Sequence, residues 1–513
     1  MPHTSRAAIC FYFIVITVTT TLFFIRAISL LDPDFGWHVR MGNQIIEKGV
    51  PATDPFSYTM PSFPFVDHEW LTNIAIYSLY SNFGYISLSI VFLGIWIATV
   101  YVTTLNTAGR KLSKNFSFSK RLLFNIILMS GFVFIYFGVR PQVISWFFLS
   151  LLLYGLLNAP VWNRFRYMAP LLFLVWANAH ASFAAGLVTY VFFFVLQCIR
   201  KKKTVAVELL IILLSVMATL INPYGARVWG EVWMQLSDTR LRWTIGEWQP
   251  TFYIFNPFFM VLFPLSLFIL WKQRKTLKLE ERGLYLAYLV QGSITARHAP
   301  LWMLITVPLV WVALNDYYKI ITKIPFAPGR FSTLAKALTG GLFITFIIFT
   351  AHRWLIGGFS KENTFYPVNA VQYLANNQPH GNIFSDYGWG GYLIWKLPEK
   401  KVFIDGRMPS WRWEITRESE SNDAMRDYDA ILADGQAYKT QFVKYQITTV
   451  LLPLQRNEQG LFTKLDGYIY KFIGANGATD NQFSLHDQLI RDKWSVVHKD
   501  NVSIIYQKAS EAD

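Results

Sequence analysis

The chain has 513 residues, of which 53% are hydrophobic and 15% charged, a balance that excludes an ordinary soluble globular protein of this length. Its formal charge of +15 does not point to nucleic acid, because the basic residues are spread over short loops with no aromatic-interleaved basic face. Two cysteines, Cys10 and Cys198, lie inside apolar runs and imply no disulfide framework.

The first apolar run, 7–31, is longer than a signal-peptide core and lacks a small-x-small cleavage site, so it reads as a retained span. Runs long enough to cross roughly 30 Å of hydrocarbon recur until Leu355. Orientation follows the basic loops, since Lys and Arg stay in the cytoplasm. Arg110 to Arg121, Arg200 to Lys203, Lys272 to Arg282 and Lys319 to Lys336 must face inward. Walking between them predicts spans near 7–31, 71–104, 121–138, 142–158, 167–179, 183–199, 204–221, 257–271, 283–296, 299–315 and 337–356. That is about eleven, starting inside and ending outside. The run from Leu171 to Ile199 is interrupted by Asn178-Ala179-His180-Ala181-Ser182, which predicts a helix pair turning at His180; a single kinked helix is the alternative.

The fold class is thus a polytopic α-helical membrane protein of the cytoplasmic (inner) membrane, multi-pass, with the N-terminus inside and a C-terminal α/β domain outside. The membrane domain covers 1–356 and includes a long first outer loop, 32–70; the outer domain covers 357–513. In that domain helices are predicted at 366–376 and 390–397, and strands at 382–384, 402–404, 448–452, 468–472 and 502–506. This makes a small α/β domain of about 150 residues. Walker, dinucleotide, zinc and heptad patterns are absent from the sequence.

On this topology the polar motifs gather outside. The first outer loop carries Asp32-Pro33-Asp34, Trp37-His38 and Asp67-His68-Glu69; the other outer turns carry Arg140, His180, Glu247 and Arg297-His298. The middles of the spans are apolar, which argues against a channel or alternating-access carrier. Asp32 and Asp34, two positions apart at a membrane surface, suit a general base or a cation ligand, although Asp and Pro also simply end helices. Asp34, Asp32 and His38 are the catalytic candidates. Asp67, His68 and Glu69 are a second acid or a metal set, with Mg or Mn as the cation. Arg140, Arg297 and His298 suit a phosphate, though arginines at helix ends also snorkel. His180 and Glu247 are accessory candidates. Asp386, Tyr387, Asp405 and Arg407 join them because they follow predicted strands, where open α/β sheets place functional residues.

This arrangement resembles the GT-C superfamily of polytopic glycosyltransferases, in which the first outer loop carries an acidic residue near the membrane; Asp32 and Asp34 occupy that place. In addition, Ser385-Asp386-Tyr387-Gly388-Trp389 resembles the Trp-Trp-Asp-Tyr-Gly motif of oligosaccharyltransferase catalytic subunits at Asp386, Tyr387 and Gly388. Phe384 and Ser385 replace the two tryptophans. The resemblance implies a sugar donor linked to polyprenyl phosphate or diphosphate, membrane lipid as surroundings, and a glycan, lipid or protein acceptor. Two other classes stay open: a metal-independent ligase of lipid-linked glycans centred on Arg297 and His298, and a non-enzymatic envelope transporter or assembly protein.

Overall fold

The computed structural model describes residues 6–29, 31–108, 117–202, 206–253, 256–321, 340–341, 343–345, 347–348, 362–415, 417–454 and 483–508. The expected strand at 468–472, most of the expected span 337–356 and the basic loop residues 110–116 and 322–336 lie outside them. The chain forms two compact units, Met1–Asp32 with Val66–Phe359, and Pro33–Phe65 with Ser360–Asp513. Most of the first outer loop, assigned above to the membrane domain, therefore groups with the C-terminal chain.

In chain order the first helices are α1 (Arg6–Ser29), α2 (Phe35–Lys48), α3 (Trp70–Ala108), α4 (Phe118–Val133), α5 (Gln142–Leu157), α6 (Ala159–Phe165) and α7 (Ala169–Ala179). They continue as α8 (Phe183–Lys201), α9 (Ala206–Thr219), α10 (Arg227–Ser237), α11 (Leu241–Thr244), α12 (Pro257–Gln273), α13 (Leu279–Ile294) and α14 (Ala299–Ile321). All but α2 belong to the first unit. Among the described residues four helices are long and apolar enough to cross a membrane, or five if the α5–α7 stretch, bent by 109°, is one broken span. Ile90, Val188, Leu213 and Val261 are more than half exposed on this helical unit. Apolar side chains exposed on a helical unit suit lipid.

Local chemistry accounts for the breaks. Residues 71–104, expected as one span, lie within α3, which kinks at Gly84, whose φ of 72° lies in the region that glycine tolerates without strain. The helix also breaks at His180, which is extended between α7 and α8, as its polar run predicts. The α12 start is fixed by Asn256, whose side chain accepts from Phe258 N and Phe259 N at 3.0 and 3.3 Å, with proline next in line.

In the second unit α2 is followed by α15 (Glu362–Phe365), α16 (Val368–Asn377), α17 (Gly390–Lys396), α18 (Ala424–Ala433), α19 (Gly435–Lys444) and α20 (Leu485–Arg491). The sheet contains β1 (Asn382–Ser385), β2 (Ile447–Pro453), β3 (Ser495–Lys499) and β4 (Ser503–Gln507) in the order β1-β2-β4-β3. Only β1 and β2 pair in parallel; the other pairs are antiparallel. Val402-Phe403-Ile404, expected as a strand, makes no sheet edge: Val402 forms an isolated bridge to Ser57 of the first loop. Strand β3 was not foreseen; its exposed Ser495 and Val496 and charged Lys499 lack a clean alternation. The loop is anchored by Tyr58 Oη donating to Ile383 O at 3.0 Å and Thr59 Oγ1 to Phe403 O at 2.6 Å. Helices α2 and α17 meet through glycine, since a Cβ on Gly36 would overlap the Gly391 carbonyl.

Candidate active site

The first cluster is assembled by the end of α1. Arg26 on its last turn donates through Nε to Phe137 O (2.8 Å) and through Nη2 to Ile135 O (2.6 Å), tying α1 to the segment between α4 and α5. That tie brings Asp32, just beyond α1, to Arg140, just before α5. Arg140 Nε is 2.7 Å from Asp32 Oδ2, and its Nη2 donates to Glu247 Oε2 at 2.7 Å. The other oxygen of Glu247 accepts from Arg297 Nη1 at 2.8 Å. Glu247 is held against the Arg297 turn by the backbone, with Ala296 N donating to Gln249 O at 2.9 Å and Thr251 Oγ1 donating to Gly292 O. One carboxylate thus bridges two guanidinium groups, and a second carboxylate shares one of them.

The electrostatics follow from this geometry. Burial alone would raise the pKa of Glu247, but Arg140 and Arg297 outweigh it and hold the carboxyl down at about 2. Burial and then the Arg297 charge push His298 down to about 4. His298 Nδ1 is buried without a hydrogen-bond partner among the described residues. His298 therefore stays neutral near pH 7, while its unfolded counterpart titrates near 6.5. Because the folded value is depressed, the stability linked to neutral His298 is present above pH 6.5 and is lost as pH falls from 6.5 towards 4. Thermal melting of detergent-solubilised His298→Gln across that window should show a flatter pH dependence than wild type. An unchanged slope would remove His298 as its source.

The second cluster joins the ends of α3, α5 and α7. Trp70 Nε1 donates to Asn178 Oδ1 (2.8 Å) and Thr72 Oγ1 to Ala179 O (2.6 Å), fastening the start of α3 to the end of α7. Glu69, 5% exposed, then lies beside two imidazoles: its Oε1 is 3.5 Å from His68 Nε2 and 3.3 Å from His180 Nε2. The opposite ring nitrogen of His180 contacts Ser145 Oγ at 2.7 Å. Asp67 turns the other way, accepting from Asn73 Nδ2 with both oxygens, at 3.0 and 2.8 Å. Burial pushes Asp67 up to about 6 against that hydrogen bond. Burial pushes His68 down, but Glu69, Glu231 and Asp67 together raise it above its ordinary value.

The remaining candidates lie in the second unit. Asp34 caps α2 in position, accepts from Trp37 Nε1 at 3.0 Å, and packs so closely on Gly406 that a Cβ there would overlap its carboxylate. His38 is buried and its ring lies tilted against that of Trp37, with centroids 3.8 Å apart. Asp386 accepts from Gly388 N at 2.8 Å, and Tyr387 N donates to Tyr428 Oη at 3.1 Å; burial raises the Asp386 carboxyl. Arg407 chelates Asp405 through Nε (2.7 Å) and Nη2 (2.6 Å) and meets Asp54 at 2.8 Å, all three being buried. These contacts are those of a core ion network and of turn chemistry.

Sequence reading missed Ser145, Glu231 and Asn73. Ser145 is the first hydroxyl in an apolar run, one turn after Arg140-Pro141-Gln142, and that spacing on a helix was the available signal.

With the geometry in hand, the chain was compared with known proteins. No family model matches it, and no curated protein matches it in sequence. Solved structures do. The oligosaccharyltransferase of Archaeoglobus fulgidus in the apo form aligns with a TM-score of 0.55 at 10% identity, over 86% of this chain and 69% of that one. ArnT from Cupriavidus metallidurans in the apo state aligns with a TM-score of 0.52 at 12% identity, over 98% of both chains. The fold resembles that of GT-C glycosyltransferases. The archaeal oligosaccharyltransferase AglB from Archaeoglobus fulgidus, solved with an inhibitory peptide and a dolichol-phosphate, aligns with a TM-score of 0.53 at 10% identity, over 86% and 69% of the two chains.

The residues proposed for a divalent cation do not fit one. Among the described residues no group of three or more His, Cys, Asp or Glu side chains is placed to hold a metal ion. Asp67 is turned to Asn73, and the second ring nitrogen of His180, beside Glu69, is turned to Ser145, so no step below is routed through a metal.

Proposed function

We propose that this chain is a membrane glycosyltransferase that moves a sugar from a polyprenyl-phosphate or polyprenyl-diphosphate donor to an envelope acceptor at the outer face of the cytoplasmic membrane. The observation that carries this reading is the convergence of Arg140 and Arg297 on one carboxylate, Glu247, with Asp32 on the far side of Arg140. A pair of guanidinium forks at the edge of an apolar helical unit suits a lipid-linked phosphate. The dolichol-phosphate of the archaeal complex supports the same donor class.

In this reading Arg140 and Arg297 hold the donor phosphate, with neutral His298 beside them. The bond between the sugar's anomeric carbon and the phosphate oxygen breaks, and the electron pair leaves on the phosphate. The acceptor's nucleophilic atom bonds to that carbon and gives up its proton to Asp32. Asp32 takes precedence over Asp34 as base because it shares the unit with both arginines and an ion pair with Arg140. Glu69 is the second acid. The second unit, with Asp386 and Tyr387, lies outside the cytoplasm.

Transfer of radiolabel from a panel of polyprenyl-linked sugars to envelope fractions tests the activity. Within that assay Arg297→Lys keeps the charge but loses the planar fork, and turnover should fall about tenfold or more. Activity equal to wild type would return Arg297 to a purely structural pairing with Glu247.

A further inference from the structure

The second cluster has an internal direction. Trp176 Nε1 donates to Ser145 Oγ at 2.8 Å, so the serine's own proton is free to point elsewhere, and the neighbour in line is His180 Nδ1 at 2.7 Å. The backbone N–H of Ser182 also points at that nitrogen, at 3.2 Å. A ring nitrogen receiving two donors carries no proton of its own, so the imidazole proton is fixed on Nε2, the atom 3.3 Å from Glu69 Oε1. Ser145, His180 and Glu69 are all buried, at 1%, 2% and 5% exposure, and α5, α7 and α3 supply one each, from a helix or its flank. A buried polar chain of this kind is costly unless its links are satisfied; here the donors run in one sense from the indole to the imidazole, and the last step, from His180 Nε2 to Glu69 Oε1, is an ion-pair contact at 3.3 Å.

We propose that His180 is a positioning residue, locked in the Nε2-protonated tautomer by Ser145 and Ser182, that orients Glu69 for the transfer reaction. This rests on the proposed activity only for what Glu69 does; the lock itself is a property of the three helix ends. Arg140 and Ser145 sit five positions apart at the start of α5, so the same helix end carries the guanidinium cluster and the serine that sets the imidazole. His180 touches neither sugar nor phosphate in this account. It acts through Glu69, and its removal changes catalytic turnover rather than donor binding.

Two measurements test this on the full-length chain in detergent or liposomes. Nitrogen-15 histidine NMR, with the His180 signal assigned by its loss in His180→Gln, should show an unprotonated Nδ1 in wild type and a growing Nδ1-protonated fraction in Ser145→Ala. A protonated Nδ1 in wild type overturns the lock, whatever the enzyme's activity. In the transfer assay His180→Asn should lower kcat about tenfold or more with little change in KM. His180→Gln, whose amide reaches the Nε2 position, should recover much of the loss. Equal impairment of both variants, each with a wild-type melting curve, overturns the positioning role. A wild-type chain that transfers no sugar defeats the proposed activity instead, and the tautomer still decides the lock.

Discussion

Arg407→Ala should destabilise the protein by about 3–5 kcal/mol, the cost of leaving a buried charge without its partner. Asp54 and Asp405 are both fully buried and face the same guanidinium, so the substitution strands two carboxylates rather than one. Arg407 is also packed among Phe56, Phe65 and Trp411, at 4.9, 5.1 and 5.5 Å from their ring centroids, and truncation removes that contact as well. The control is the triple variant Arg407→Met, Asp54→Asn, Asp405→Asn, which removes the charges together. It should recover a large part of the loss, because deleting a whole network is milder than orphaning half of it. Thermal unfolding in detergent measures both; a single variant as stable as wild type would mean water reaches the stranded carboxylates.

Arg140→Ala should reduce turnover by about 10²–10³-fold, the usual effect of deleting one donor that stabilises developing charge. Arg140 bridges Asp32 and Glu247, so its loss removes a phosphate donor and the cation beside the proposed base in one step. Arg140→Lys restores charge but cannot reach both carboxylates with a fork, and it should recover activity only in part. Steady-state transfer rates at saturating donor separate the two variants. Full activity in Arg140→Ala would show that the cluster is structural.

The helical character and the break at His180 were legible because they rest on local signals. Apolar run length gave the helices, the polar run around His180 gave the break between α7 and α8, and the residue types of Arg140, Arg297 and His298 gave the anion-binding candidates. The partner that unites them was less visible: Glu247 stood only as an accessory candidate, since nothing local says that its turn is fastened to the Arg297 turn by Gln249 and Thr251. The grouping of Pro33–Phe65 with the C-terminal chain was invisible for the same reason, because it depends on Tyr58, Thr59 and Ser57 meeting residues more than 300 positions away. Asp32 and Asp34 illustrate the limit best. They are equivalent by spacing and composition, yet one pairs with Arg140 and the other packs on Gly406.

That distinction gives the most direct measurement. The purified chain in liposomes, supplied with radiolabelled polyprenyl-linked sugars and an envelope acceptor fraction, should move label when wild type, and Asp32→Asn should lose at least about 10²-fold of that rate while melting normally. Asp34→Asn should lose much less. Transfer that survives Asp32→Asn, or a wild-type chain that moves no label from any donor in the panel, would contradict the account.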